Sequence, residues 1–162
     1  MLTAKLISMY FLTKDPERKI FNLELVDYNN RRSYEGNIKL NKYLYLAQTV
    51  YLAKYGELLF SDNFVAYDNG PVVKEIVDNY ASIQSIKKYN EDILPNEIKE
   101  FLDKIYMSLE GATFDELIEI THEDTAWKDL SKETYHAPVI DLLKYKSKFE
   151  KQYKGIIKVM AI

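Results

Sequence analysis

Apolar residues recur at spacings of three and four along most of the chain and alternate with polar ones in one short stretch, a pattern that predicts helices with a single β interruption. Leu2, Leu6, Ile7, Tyr10 and Phe11 mark a short amphipathic helix that ends before the Asp15-Pro16 break. From about Phe21 to Gly36 the period changes. Phe21, Leu23 and Leu25 alternate with polar residues, and Asn29-Asn30 offers two positions that tolerate positive φ, so the stretch predicts a small β-hairpin, although it also fits part of a helix. The clearest helix comes next: Asn37 is placed to cap it, Leu40, Tyr43, Leu44, Ala47, Val50, Tyr51 and Lys54 keep helical spacing, and Gly56 can close it in the left-handed conformation.

Phe60, Phe64, Ala66 and Tyr67 then lie on an extended connection, Asp68-Asn69-Gly70 on a turn, and Pro71 at the first position of a further helix, where its missing N–H costs nothing. After Pro95 a helix carries Ile98, Phe101, Leu102, Ile105 and Leu109 inward and stops near Gly111. Thr113 and Glu116 have capping-box spacing, which predicts a short helix with Phe114, Leu117 and Ile118 facing the core. Pro138 opens a last helix, leaving a basic and apolar tail from Lys154 to Ile162. With no repeat, low-complexity tract or linker, the expectation is mainly α: one compact domain over residues 1–162, with about five to seven helices and a small β-hairpin near the N-terminus.

Composition narrows the chemistry. The 162 residues include no cysteine, which excludes disulfides, thiolate catalysis and Cys-built zinc sites and fits a reducing cytoplasm. Lys5 splits the one N-terminal stretch resembling a targeting segment, and no stretch approaches the roughly 20 apolar residues a bilayer requires. The expected product is soluble and cytoplasmic, with no membrane partner. A net charge of -3 without a sustained Lys/Arg run argues against dedicated nucleic-acid binding. The 14 tyrosines suit a core rim or a protein-binding surface.

The stretch "ITHEDTAWKDL", Ile120 to Leu130, concentrates the candidate chemistry, since it holds the only tryptophan and one of two histidines beside carboxylates. A metal site from His122, Glu123 and Asp124 conflicts with geometry, because consecutive helical residues point about 100° apart, and His136 lies far along the chain. A His122 general base lacks a nucleophile motif. A hydrogen-bonded structural histidine and a buried Trp127 account for the stretch more simply. The five glycines stand apart, so no phosphate-cradling loop exists. Catalytic residues, cofactor and metal are each expected to be none.

Three segments together carry a resemblance: "KLNKYLYLAQTVYLAKYGELLF" (Lys39 to Phe60), "AYDNGPVV" (Ala66 to Val73) and "LIEITHEDTAWKDL" (Leu117 to Leu130). They resemble, in order and spacing over about residues 37–131, the Panacea domain of SocA-like antitoxins, many of them labelled phage-associated. Asn41 departs from the family's usual Gln, Ala126 from a Pro that often precedes the Trp, and the Phe21 to Gly36 stretch is longer than the usual connection. The resemblance implies a mostly helical domain without an enzymatic reaction, which neutralises a protein toxin encoded beside it by direct contact and in some members delivers it to a cellular protease.

The leading reading is therefore an antitoxin-like interaction module. Its motif residues, structural or partner-binding, are Tyr43, Tyr45, Gly70, Pro71, Thr121, His122 and Trp127. Rival readings are a metal-dependent or His-based hydrolase using His122 with Glu123 or Asp124, and a nucleic-acid-binding regulator using Arg31, Arg32 and the basic residues of the last helix. A homo-oligomer stays open.

Overall fold

The computed structural model describes residues 2–28, 30–130 and 138–161. Helix α1 (Ala4–Thr13) begins at Thr3, whose Oγ1 accepts the Leu6 N–H at 3.2 Å, so a donor left over in the first turn is satisfied. It buries Ile7, Tyr10 and Phe11, as the spacing predicts. Asp15 organises the loop after α1: its carboxylate accepts the backbone N–H groups of Lys19, Ile20 and Phe21 at 2.8–2.9 Å. Arg18, at φ 54°, donates to the carbonyls of Leu12, Asp15, Gln84 and Ile86 and ties this loop to the middle of the chain.

The N-terminal hairpin forms from β1 (Leu25–Tyr28) and β2 (Arg31–Tyr34), antiparallel, with Leu25 opposite Tyr34 and Tyr28 opposite Arg31. Asn30 takes φ 62° at its turn, while Asn29 lies outside the described residues. Pairing starts later than the alternation suggests. Phe21 is core, its amide already taken by Asp15, and Leu23 and Leu25 stay about half exposed, so the alternation there does not mark a buried strand face.

Helix α2 (Glu35–Tyr55) is the centre of the fold, packed by α1 and by four helices from the later part of the chain. It starts two residues before Asn37, because β2 runs straight into it; Asn37 lies inside the helix, and its side-chain oxygen accepts from Asn41 at 3.0 Å. Gly36 is needed for close approach: a Cβ there would sit 2.3 Å from the Asn22 nitrogen. The expected stripe is buried from Leu40 to Val50, while Tyr51 is half-buried and Lys54 exposed; Asn41, Lys42, Tyr45, Gln48 and Thr49 are buried too, so the middle of α2 is enclosed on every side. Gly56 ends it at φ 76°, as predicted.

A second hairpin, β3 (Val65–Tyr67) with β4 (Gly70–Val72), forms around the expected turn, with Asp68 and Asn69 between its strands, and takes the place of the expected Pro-started helix. Pro71 is a strand residue, because the Val73 N–H donates to Asn41 Oδ1 at 2.9 Å and holds the chain extended until α3 (Lys74–Asp78) begins. A break at Asn79 gives α4 (Tyr80–Gln84). Then come α5 (Asn96–Leu109), directly after Pro95, and α6 (Phe114–His122), opened by the complete Thr113/Glu116 capping box, and α7 (Thr125–Leu130).

Pro138 does not start a helix. The Ala66 N–H donates to its carbonyl at 2.9 Å and the Ile140 N–H to Phe64 O at 2.8 Å, so 138–141 lies extended along β3. A 3-10 turn (Leu142–Tyr145), α8 (Lys146–Gln152) and α9 (Lys154–Val159) complete the chain, so most of the expected tail is helical. Of the later helices, α5, α6 and α8 cover most of α2, and α3 touches it as well. The fold is mainly α with an N-terminal β-hairpin; the nine α-helices among the described residues include α4, split from α3 at Asn79, the short α7, and α9 in the expected tail. No helix among them is long and apolar enough to cross a membrane.

Candidate functional site

Two buried polar knots fasten the β3–β4 hairpin and the α6–α7 corner to α2. The first centres on Asp124, which is fully buried at the start of α7. Its Oδ1 accepts the Trp127 N–H at 3.1 Å, the arrangement of an N-cap. The same carboxylate accepts from Tyr45 Oη at 2.5 Å, Gln152 Nε2 at 3.3 Å and Tyr153 Oη at 3.4 Å. Burial pushes the Asp124 pKa up, against these hydrogen bonds, of which that from Tyr45 is the largest. Burial and the Asp124 charge hold the Tyr45 phenol well above its ordinary value, so it stays a donor. Among the described residues the carboxylate is thus balanced by donors from three segments of the chain rather than by a cation.

The second knot centres on Lys42. Its side chain is 2 % exposed, its Nζ donates to the Asn69 carbonyl at 2.7 Å, and it forms no ion pair among the described residues. Burial alone lowers its pKa from 10.5 to about 7. Gly70 has φ 121°, and a Cβ on it would lie 2.1 Å from Lys42 Nζ and 3.6 Å from Thr121 Oγ1, so the turn sits directly against the amine. Thr121 donates back to Ile118 O at 3.1 Å.

His122 and Trp127 complete the corner. Their rings stack at 4.4 Å and 11°, and Trp127 Nε1 donates to Tyr67 O at 2.8 Å, at the end of β3. Burial lowers the His122 pKa, a hydrogen bond with the Asn69 backbone opposes it, and the Lys42 charge adds to it. Its Nε2 is buried without a hydrogen-bond partner among the described residues. Asn69 also donates from Nδ2 to Tyr28 O at 3.4 Å, and the Tyr28 ring meets Phe114 and His122, which seats the first hairpin on the second.

Of the motif residues, Tyr45, Gly70, Thr121, His122 and Trp127 meet in these knots. Pro71 is buried on β4, and Tyr43 is buried among the rings of Phe11, Phe21 and Tyr106 at 5.2–6.0 Å. His122, Glu123 and Asp124 diverge: one stacks on Trp127, one is exposed with Lys128 at 3.1 Å, one is buried on Tyr45. His136 lies outside the described residues, and among those described no three His, Asp or Glu side chains come together to hold a metal ion. Arg31 and Arg32 are both exposed, and Arg31 lies over the Tyr67 ring at 5.6 Å.

Sequence reasoning passed over Lys42, Asn69 and the burial of Asp124. Asp124 carried a readable trace, an N-cap residue three positions before Trp127. Lys42 carried less, since a lysine beside an apolar stripe ordinarily lies in water.

In this helical bundle the buried charges of Lys42 and Asp124 fasten the second hairpin and the α6–α7 corner to the central helix. The profile of the family described as Antitoxin SocA-like, Panacea domain, matches residues 40–128, from within α2 to within α7. That is more than half of the chain, and the chain belongs to this family. No curated protein and no solved structure matches it.

Proposed function

We propose that this protein is a cytoplasmic antitoxin that neutralises a protein toxin encoded beside it by direct binding, without an enzymatic step. The observation that carries the reading is the family match over residues 40–128. The charged groups inside that region support it: Lys42 and Asp124 are spent on holding the hairpin and corner, which leaves recognition to the surface. A candidate surface lies between α5, α6 and α9, where a groove of about 480 Å³ is lined by Leu46, Val50, Ile105, Ile120 and Ile156. Met107 and Val159 stand exposed at 70 % and 86 %, more than isolated surface apolars require.

The test is expression of the neighbouring reading frame. It should arrest growth alone, be relieved by this protein and copurify with it. Ile120→Asp combined with Val159→Asp should abolish relief and copurification without lowering the melting temperature. A harmless neighbour sinks the reading. Toxin half-life measured with and without this protein decides whether binding also delivers the toxin to a protease: a shortened half-life supports delivery, and an unchanged one restricts the mechanism to binding.

A further inference from the structure

Between the last turn of α2 and the first turns of α5 lies a second cavity, of about 400 Å³. Tyr51, Tyr55 and Phe101 form its aromatic walls. The Tyr51 ring is 4.6 Å from Tyr55 at 44° and 5.2 Å from Phe101 at 81°, so the rings make a corner instead of a stack. Phe101 is buried and backs the corner, while Tyr55 is 50 % exposed and opens it to solvent. The face of an aromatic ring is its electron-rich side, and an open corner presents two such faces to one guest.

Glu57, Glu97 and Glu100 also line this cavity. All three are exposed, and none forms an ion pair among the described residues. Two cations are near. Lys104 lines the cavity, but its Nζ is occupied by the Ala161 carbonyl at 2.8 Å, and the end of the Lys146 side chain approaches Gly56. Three carboxylates against one engaged ammonium in the lining leave the cavity net negative over an aromatic wall. The adjoining residues Ile105 and Met160 line the apolar groove, so a guest here would sit beside that contact surface.

We infer that this pocket receives an arginine side chain of the partner protein, its guanidinium on the Tyr51–Tyr55 corner and its N–H groups on Glu57, Glu97 and Glu100. A planar, weakly hydrated guanidinium both stacks on an aromatic face and pairs with carboxylates in a fork, which a lysine ammonium cannot do together. The identity of the partner rests on the antitoxin reading; the chemistry of the pocket does not.

The probe is N-acetyl-arginine amide, titrated into the full chain while the Tyr51 and Tyr55 ring resonances are followed by NMR, with the uncharged isostere N-acetyl-citrulline amide as control. Saturable shifts with the arginine probe alone are expected. Glu97→Gln combined with Glu100→Gln should weaken binding about five-fold, the loss of two exposed ion pairs, with an unchanged melting temperature. Equal shifts from citrulline, no saturation, or full binding by the double variant would overturn the pocket, whatever the growth assay gives. A neighbour that proves harmless would overturn the antitoxin reading instead and leave the probe result standing.

Discussion

Replacing Lys42 with methionine should change how stability depends on pH more than it changes stability itself. In the fold the amine is buried and its pKa is lowered from 10.5 to about 7. Between those values the unfolded chain binds more protons than the folded one, so stability rises with pH across the window and is lost as pH falls through about 7. At about 1.4 kcal/mol per pH unit the whole gap is worth roughly 5 kcal/mol. An assay from pH 7.5 to 9.5 captures about 2–3 kcal/mol of it. That interval stays above the ordinary histidine range, and the unfolded tyrosines that begin to ionise at its upper end, toward about 10, do so in both proteins and cancel in the difference. Methionine keeps the length and most of the volume, but it has neither the charge nor the bond to Asn69 O. Urea unfolding followed by Trp127 fluorescence, at half-unit pH steps, measures both curves. The cost of Lys42→Met should grow by about 2–3 kcal/mol from pH 7.5 to 9.5. Parallel curves for the two proteins would refute a deprotonating Lys42 and imply that the ammonium is solvated or paired in solution.

Trp127→Ala should cost about 3–5 kcal/mol by circular dichroism melts or urea unfolding, because it removes a buried ring and its indole bond. Trp127→Phe should recover most of that and lose about 1 kcal/mol for the bond to Tyr67 O. Gly70→Ala should cost about 1–3 kcal/mol, since φ 121° strains any other residue and the new Cβ meets Lys42 Nζ. In a Lys42→Ala background the steric part is relieved, so a double-mutant cycle should show coupling above about 0.5 kcal/mol; strict additivity would mean that the turn does not rest on the amine. Asp124→Ala strands the Tyr45, Gln152, Tyr153 and Trp127 donors and should cost at least about 3 kcal/mol in urea unfolding.

Helices whose boundaries depend on local chemistry were legible in the sequence. The Thr113/Glu116 box, Gly56 and the α1 stripe form where the residue pattern puts them. Three of the failures trace to a partner outside the local pattern that claims a backbone group. Asn41 takes the Val73 N–H and keeps Pro71 out of a helix, Asp15 takes the Phe21 N–H and delays the hairpin, and β3 takes 138–141 and delays the last helices. The candidate corner was legible as a structural motif, because a lone Trp and a His at a helix end are uncommon residues in a readable context. Its partner Lys42 was not: local sequence cannot say that a hairpin almost thirty residues away will close over an amine.

The Asp124 knot also bears on the order in which the protein becomes whole. Tyr45 and the Trp127 amide are available once the α7 segment has been made, but Gln152 and Tyr153 arrive only with the end of α8. A ribosome that has just released residue 130 exposes a chain with a carboxylate short of two donors and a central helix still missing Tyr145, Phe149 and Tyr153 from its cover. The family-matched stretch, 40–128, is therefore not a unit that can be expected to fold during synthesis or be expressed alone. A nascent-chain arrest series carried on a C-terminal linker should show protease resistance only after residue 153 has left the exit tunnel; resistance at residue 130 would mean that the knot is not needed to close the fold.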